Sequence, residues 1–176
     1  MGMNGSWCAG LVLGVAAAVM AAATGPAADA GPCVLLTGAD SAIREPRIVL
    51  VTTADQWAAL WLEHRGLPER VPYDTYYNPA GLPEIDFATH AVVGVFDGEG
   101  HNCAGLRTEA LVPGPGETTL RYSSKSYQTL GEAEPTRPYG FFVLPRPAGA
   151  LQVEEQLYSM AGPSRIEPRA SFPAPR

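Results

Sequence analysis

Cys103 with His90 or His101 would supply the parts of a thiol hydrolase, in which an imidazole draws the proton from a cysteine and the thiolate attacks a carbonyl. That chemistry needs a free, activated thiol. Cys33 and Cys103 are the cysteines left once the apolar leader of residues 1–30 is removed, and an even pair in an oxidising compartment points to a disulfide instead. Ser123, Ser124 and Ser126 lie in a strand-like run without the glycine pattern of a nucleophile elbow. No catalytic residue is expected from this set. Asp97, Glu99 and His101 sit at alternate positions of a glycine-rich turn and offer hard oxygens and an imidazole, the weak material of a metal site. The turn lacks the length of an EF-hand loop, and zinc would ask for more His or Cys, so a solvated acidic turn is expected and no metal or cofactor with it. Asp86 reads as a turn carboxylate rather than a base.

Composition narrows the compartment and the partners. The chain has 176 residues, 46% hydrophobic and 17% charged, with a net charge of -6. This is the balance of a folded globular protein, and the absence of a Lys/Arg run argues against nucleic acid and against an anionic membrane surface. Residues 9–24 are apolar and uncharged, and Ala28, Asp29 and Ala30 form an A-x-A site before Gly31. Residues 1–30 therefore read as a signal peptide cleaved near Ala30, with an uncleaved anchor as the alternative. The mature protein is expected to be secreted or periplasmic and free of the membrane, with residues 31–176 forming one domain.

The elements that must hold these side chains can be read from periodicity. Residues 47–51 suit a short strand, after which Thr53 and Gln56 form a capping box for a helix carrying Trp57, Leu60, Trp61 and His64, closed by Gly66. From 67 to 89 four prolines interrupt the pattern, with Tyr73, Tyr76 and Tyr77 between them. A connection this long reads as a functional loop or lid whose exposed tyrosines suit an interface, with tyrosines that pack the loop onto the domain as the alternative. Residues 91–96 form a continuously apolar strand, 106–112 and the run through Leu120 and Tyr122 form a hairpin about the turn at 113–116, and 140–144 and 151–158 add two strands. Glu155 falls on the inward side with Leu151 and Val153, as a charge that protects an edge strand or as a carboxylate with a partner. The tail from about 162, with four prolines, reads as extended or loose. The fold class expected is α+β, one capped helix packed on a mostly antiparallel sheet of about five to six strands, with a sandwich as the alternative.

P-E-I-D-F at 83–87, H-A-V-V-G-V-F-D-G-E-G at 90–100 and R-P-Y-G-F-F-V-L-P-R at 137–146, after a helix with Trp57 and Trp61, resemble the PrcB C-terminal domain family. The family takes its name from an exported accessory subunit of a protease complex. The resemblance implies a non-enzymatic domain that binds another exported protein, a protease included, and it brings no catalytic residue with it. Where the family has a glycine-tyrosine turn this chain has H-N-C-A-G, in keeping with a disulfide variant. Tyr73, Tyr76, Tyr77, Arg137 and Tyr139 are the expected protein-binding residues. An alternative from another class is a loop-based protease inhibitor: residues 78–81, the turn near Gly105 and 137–139 distantly resemble the inhibitory loops of the chagasin family.

Overall fold

A computed structural model describes residues 33–68, 81–159 and 162–174. Ten strands and one helix run in the order β1 (Cys33–Gly38), β2 (Arg47–Val51), α1 (Ala54–Arg65), β3 (His90–Phe96), β4 (Gly100–His101), β5 (Cys103–Gly114), β6 (Glu117–Ser126), β7 (Pro135–Thr136), β8 (Tyr139–Pro145), β9 (Ala150–Leu157) and β10 (Arg165–Phe172). The first sheet runs β1-β8-β3-β2 and is antiparallel throughout. The second runs β10-β9-β6-β5, with β6 and β9 parallel and the other pairs antiparallel. β4 and β7 form a separate two-stranded ribbon.

The α+β expectation of one helix on a single sheet is thereby corrected: the protein is mostly β, with two four-stranded sheets and one short helix. The physical reason lies in β3 and β8, whose side chains are buried on both faces. Val92, Phe96, Tyr139 and Phe141 join Trp57, Leu60 and Trp61 of α1 in one core. Val93, Val95, Phe142 and Leu144 join Leu106, Leu120, Tyr122, Leu151 and Val153 of the second sheet in another. Because side chains alternate along a strand, a central strand can serve a helix on one side and a sheet on the other. Helix, sheet and sheet are stacked as three layers.

Local rules seat α1. Thr53 Oγ1 accepts the Gln56 N–H at 3.3 Å and Gly66 closes the helix at φ 64, as the capping residues dictate. Gln56 Oε1 reaches back one residue further than a capping box requires, accepting from Thr52 N at 3.0 Å. Gly94 lets the helix come close, since a methyl there would stand 3.1 Å from Leu60 Cδ2. Trp57 Nε1 donates to Pro83 O at 2.8 Å and so fixes the chain as it returns to β3. Asp86 is the turn carboxylate expected, accepting from Ala88 N at 3.0 Å and Thr89 Oγ1 at 2.7 Å.

Of the two readings of the tail, extended or loose, residues 165–172 take the extended one and pair along β9 as β10. Pro168 sits at the bulge of this edge strand, a position where a missing N–H costs the ladder little. Among the described residues no helix is long and apolar enough to cross a membrane.

Candidate functional site

One end of the sandwich gathers the turn between β3 and β4, the β4–β7 ribbon and the loop 39–46. Arg137 N donates to Ala39 O at 2.7 Å and Ser41 N donates to Arg137 O at 3.2 Å, which ties the start of β8 to that loop. Ala42 N in turn donates to His64 O at 2.9 Å, so the loop also satisfies a carbonyl at the end of α1. The anchored backbone sets Arg44, Arg65 and Arg137 around Asp40. Two adjoining hollows result, of about 510 Å³ beside His64 and Arg65 and about 440 Å³ beside Glu99 and His101, with Asp40, Arg44 and Arg137 lining both.

Arg44 is paired with Glu99 at 3.0 Å, both side chains well exposed. Among the described residues neither Arg65 nor Arg137 has an ion-pair partner. Three guanidiniums face two carboxylates here, on a chain whose overall charge is -6. A planar guanidinium fork matches a carboxylate in two hydrogen bonds, so the chemistry available is recognition of an acidic group.

His64 and Ser41 form a pair behind the first hollow, Ser41 Oγ lying 3.0 Å from His64 Nδ1. Nucleophilic attack is closed to it: Ser41 is fully buried, and its oxygen already accepts the Ile43 N–H at 3.1 Å. His64 is packed against Tyr139 and Phe141, with ring centroids 4.2 Å and 5.1 Å away. Burial, with Arg65 assisting against Asp40, lowers its pKa to about 4, so the imidazole is neutral and structural near neutrality.

The sequence-derived site residues do not stay together. Tyr73, Tyr76 and Tyr77 lie outside the described residues. Arg137 lines the hollows, but Tyr139 is a core residue only 5% exposed and offers no surface to a partner. Glu99 and His101 stay at the rim, whereas Asp97 turns inward to accept from Ser124 Oγ at 3.3 Å. Among the described residues no three His, Cys, Asp or Glu side chains converge as metal ligands.

Cys103 is a buried free thiol in this structure, its Sγ donating to Gly105 O at 3.3 Å, and the expected bridge to Cys33 is not formed in it. Burial pushes the thiol pKa up, and the nearby Asp97 and Glu155 push the same way, so the sulfur stays protonated and unreactive. His90 starts β3 and Asp97 lies just past its end, a separation of roughly 20 Å at strand rise, which puts His90 far from this sulfur. Its Nδ1 is instead 2.8 Å from Thr89 Oγ1. Of the three segments likened to inhibitory loops, residues 78–80 lie outside the described residues, Gly105 is buried against β1 and Tyr139 is in the core.

Arg44, Arg65 and Asp40 were not legible as a group, because they come from a loop and a helix end that are brought together by the bonds of Ala42 and Ser41 to His64. The faint signal was Arg65 in the last turn of a capped helix, where a cation complements the dipole. The chain matches no protein-family model, no curated protein and no solved structure.

Proposed function

We propose that this protein is an exported, non-enzymatic domain that binds another protein, as an accessory or assembly subunit of a protease complex, after loss of residues 1–30. The observation that carries the binding role is the group of three arginines at one end of an acidic chain, two of them without an ion-pair partner among the described residues. Guanidiniums without an ion-pair partner among the described residues, beside open hollows, suit an acidic segment of a partner, which would take them as bidentate forks. The fully buried Ser41 and the protonated, buried Cys103 favour binding over turnover. The likeness of the 83–87, 90–100 and 137–146 segments to the PrcB C-terminal domain family supports the accessory role.

The test is affinity capture from the exported fraction of the protein's own host, with the intact protein and an Arg65→Ala/Arg137→Ala variant side by side. A partner held by the first and released about 30-fold more readily by the second supports the reading. Equal retention by both removes the hollows as its binding surface, and substrate turnover that vanishes with Cys103→Ala in a folded protein would replace it with catalysis.

A further inference from the structure

Residues 127–134 connect β6 to β7, and Leu130 at their tip is exposed to 112% of the reference for its type. Lone apolar residues on a surface are ordinary. What sets this one apart is how its loop is gripped. Asn102 spends its N–H on Glu134 O at 2.9 Å, its carbonyl on Tyr127 N at 2.9 Å and its side-chain Oδ1 on Glu134 N at 2.7 Å. One residue therefore holds both stems. To do so it takes φ 51, and among the described residues it alone has a positive φ without being glycine, a conformation asparagine tolerates better than most. Tyr127 Oη closes the base again by donating to Glu134 Oε2 at 2.6 Å. Within the loop, Thr129 Oγ1 lies 3.4 Å from Gly131 O and 3.1 Å from Glu132 O, so a side chain on one side of the Leu130–Gly131 bond braces the backbone on the other.

We propose that this loop enters the active site of a serine endopeptidase with an apolar primary pocket and inhibits it, Leu130 filling that pocket. Exposed loop tips are where proteases cut, so a protruding leucine followed by glycine, at the bend of residues 130–132, is within a protease's reach. The apolar side chain selects a hydrophobic slot over an acidic one, and residues 127–134 contain no Lys or Arg for the latter. A loop already ordered loses little entropy on docking. The grip on both stems decides the fate of the acyl ester. The protease serine oxygen adds to the Leu130 carbonyl carbon, the bond to Gly131 nitrogen breaks, and the serine proton passes through the histidine to that nitrogen. With Tyr127 and Glu134 still held by Asn102, the new amine remains beside the acyl ester. Its return attack re-forms the peptide bond and sends the proton back to the serine, so hydrolysis does not go to completion. The inference goes beyond the arginine hollows and does not rest on them.

The folded full chain is titrated into chymotrypsin, with a chromogenic small substrate reporting residual activity and mass spectrometry locating any cut. Stoichiometric loss of activity with the Leu130–Gly131 bond largely intact is expected. Leu130→Gly, a change at a fully exposed site, weakens inhibition by about 30-fold or more. Leu130→Arg moves inhibition from chymotrypsin to trypsin. Asn102→Gly keeps the left-handed backbone, removes the Oδ1 bond to Glu134 and turns the loop into a substrate cut at Leu130–Gly131. Arg65→Ala/Arg137→Ala leaves all of this unchanged, so failure of the arginine reading and failure of this one are distinguishable. Full chymotrypsin activity in the presence of intact protein, ordinary turnover at Leu130–Gly131, or inhibition that survives Leu130→Gly overturns the proposal.

Discussion

Asp97 and Glu155 share one hydroxyl: Ser124 Oγ lies 3.3 Å from Asp97 Oδ2 and 3.4 Å from Glu155 Oε1. A serine has a single proton to donate, so it serves one carboxylate at a time. Glu155 has a second donor in Arg169 Nη1 at 2.9 Å. Asp97 Oδ1 is buried without a hydrogen-bond partner, as is the nearby Tyr122 hydroxyl. Burial, with the coulombic influence of Glu155 second, raises the Asp97 pKa to about 6.

This pair makes stability fall as the solution becomes less acidic. A carboxyl whose folded pKa lies above its unfolded value of 3.8 contributes fully below 3.8, and the contribution is lost as pH rises through about 6. Burial and Glu155 act on Asp97 from the unfavourable side and Arg169 and Ser124 from the favourable one, with the neutral Tyr122 hydroxyl close by. Asp97→Asn removes the ionisation, so at about pH 8 the variant should be more stable than the parent by about 2 kcal/mol, with the difference shrinking towards about pH 4. Urea midpoints across that range decide it. A difference that does not change with pH would mean that Asp97 titrates normally.

His64 opposes that slope. Its folded pKa of about 4 lies below the unfolded 6.5, so its contribution is present above 6.5 and is lost as pH falls through about 4. The groups facing it are Ser41, Arg65, Asp40 and the rings of Trp61, Phe96, Tyr139 and Phe141. Between about pH 4 and about pH 6 the His64 and Asp97 terms run in opposite directions and largely cancel in the parent protein. His64→Gln keeps a hydrogen-bonding group for Ser41 and deletes the titration. Its stability, lower throughout from lost ring packing, should fall with rising pH where the parent is flat, read from the same urea midpoints. A parallel profile would show that His64 titrates equally in both states.

Much of the first sheet and the helix was legible because each is dictated locally. Thr53 and Gly66 bracket α1, 91–96 and 140–144 are apolar without interruption, and the turn at 113–116 announces the β5–β6 hairpin. The division into two sheets was not legible, since alternation in β6 and β9 shows that each buries one face but not that Leu120 pairs in parallel with Val153. β10 was hidden by Pro168 and its charges, which are tolerated only because it is an edge. At the polar sites the same limit applies. Glu155 was visible as an inward charge, but its partner Asp97 is at the far end of another sheet's strand and Arg169 lies in the tail from about 162. Asn102 gave no signal at all, because its role is made of backbone and side-chain bonds to residues well along the chain.

Cys103 should react slowly while the protein is folded. Burial and the adjacent carboxylates keep the sulfur as thiol, and thiolate is the reactive form. Timed alkylation of native protein at about pH 8, read by mass spectrometry, should label Cys103 at least about 100-fold more slowly than in denaturant. Labelling at the unfolded rate would place the sulfur in contact with solvent. Exported protein whose Cys103 resists alkylation even in denaturant, and yields only after reduction, would carry the bridge to Cys33 instead.

Thr37 clips the two sheets together along one side of the sandwich. Its Oγ1 accepts the Leu106 N–H at 2.7 Å and has the carbonyls of Leu106 and Tyr139 at 2.8 Å and 2.9 Å, so one hydroxyl of β1 serves both β5 and β8. The strands come this close because Gly105 has φ 116 and no Cβ, whose ideal position is 2.5 Å from the Thr37 oxygen. Thr37→Val fits the same volume but leaves the buried Leu106 N–H without its acceptor. The expected loss is about 1–3 kcal/mol, because an unpaired buried donor costs more than the bond itself contributes. Thr37→Ser keeps the oxygen and should recover most of it. Urea unfolding of both variants separates the oxygen from the methyl: equal losses would assign the clip to packing, whereas a loss confined to valine assigns it to the hydroxyl that spans the two sheets.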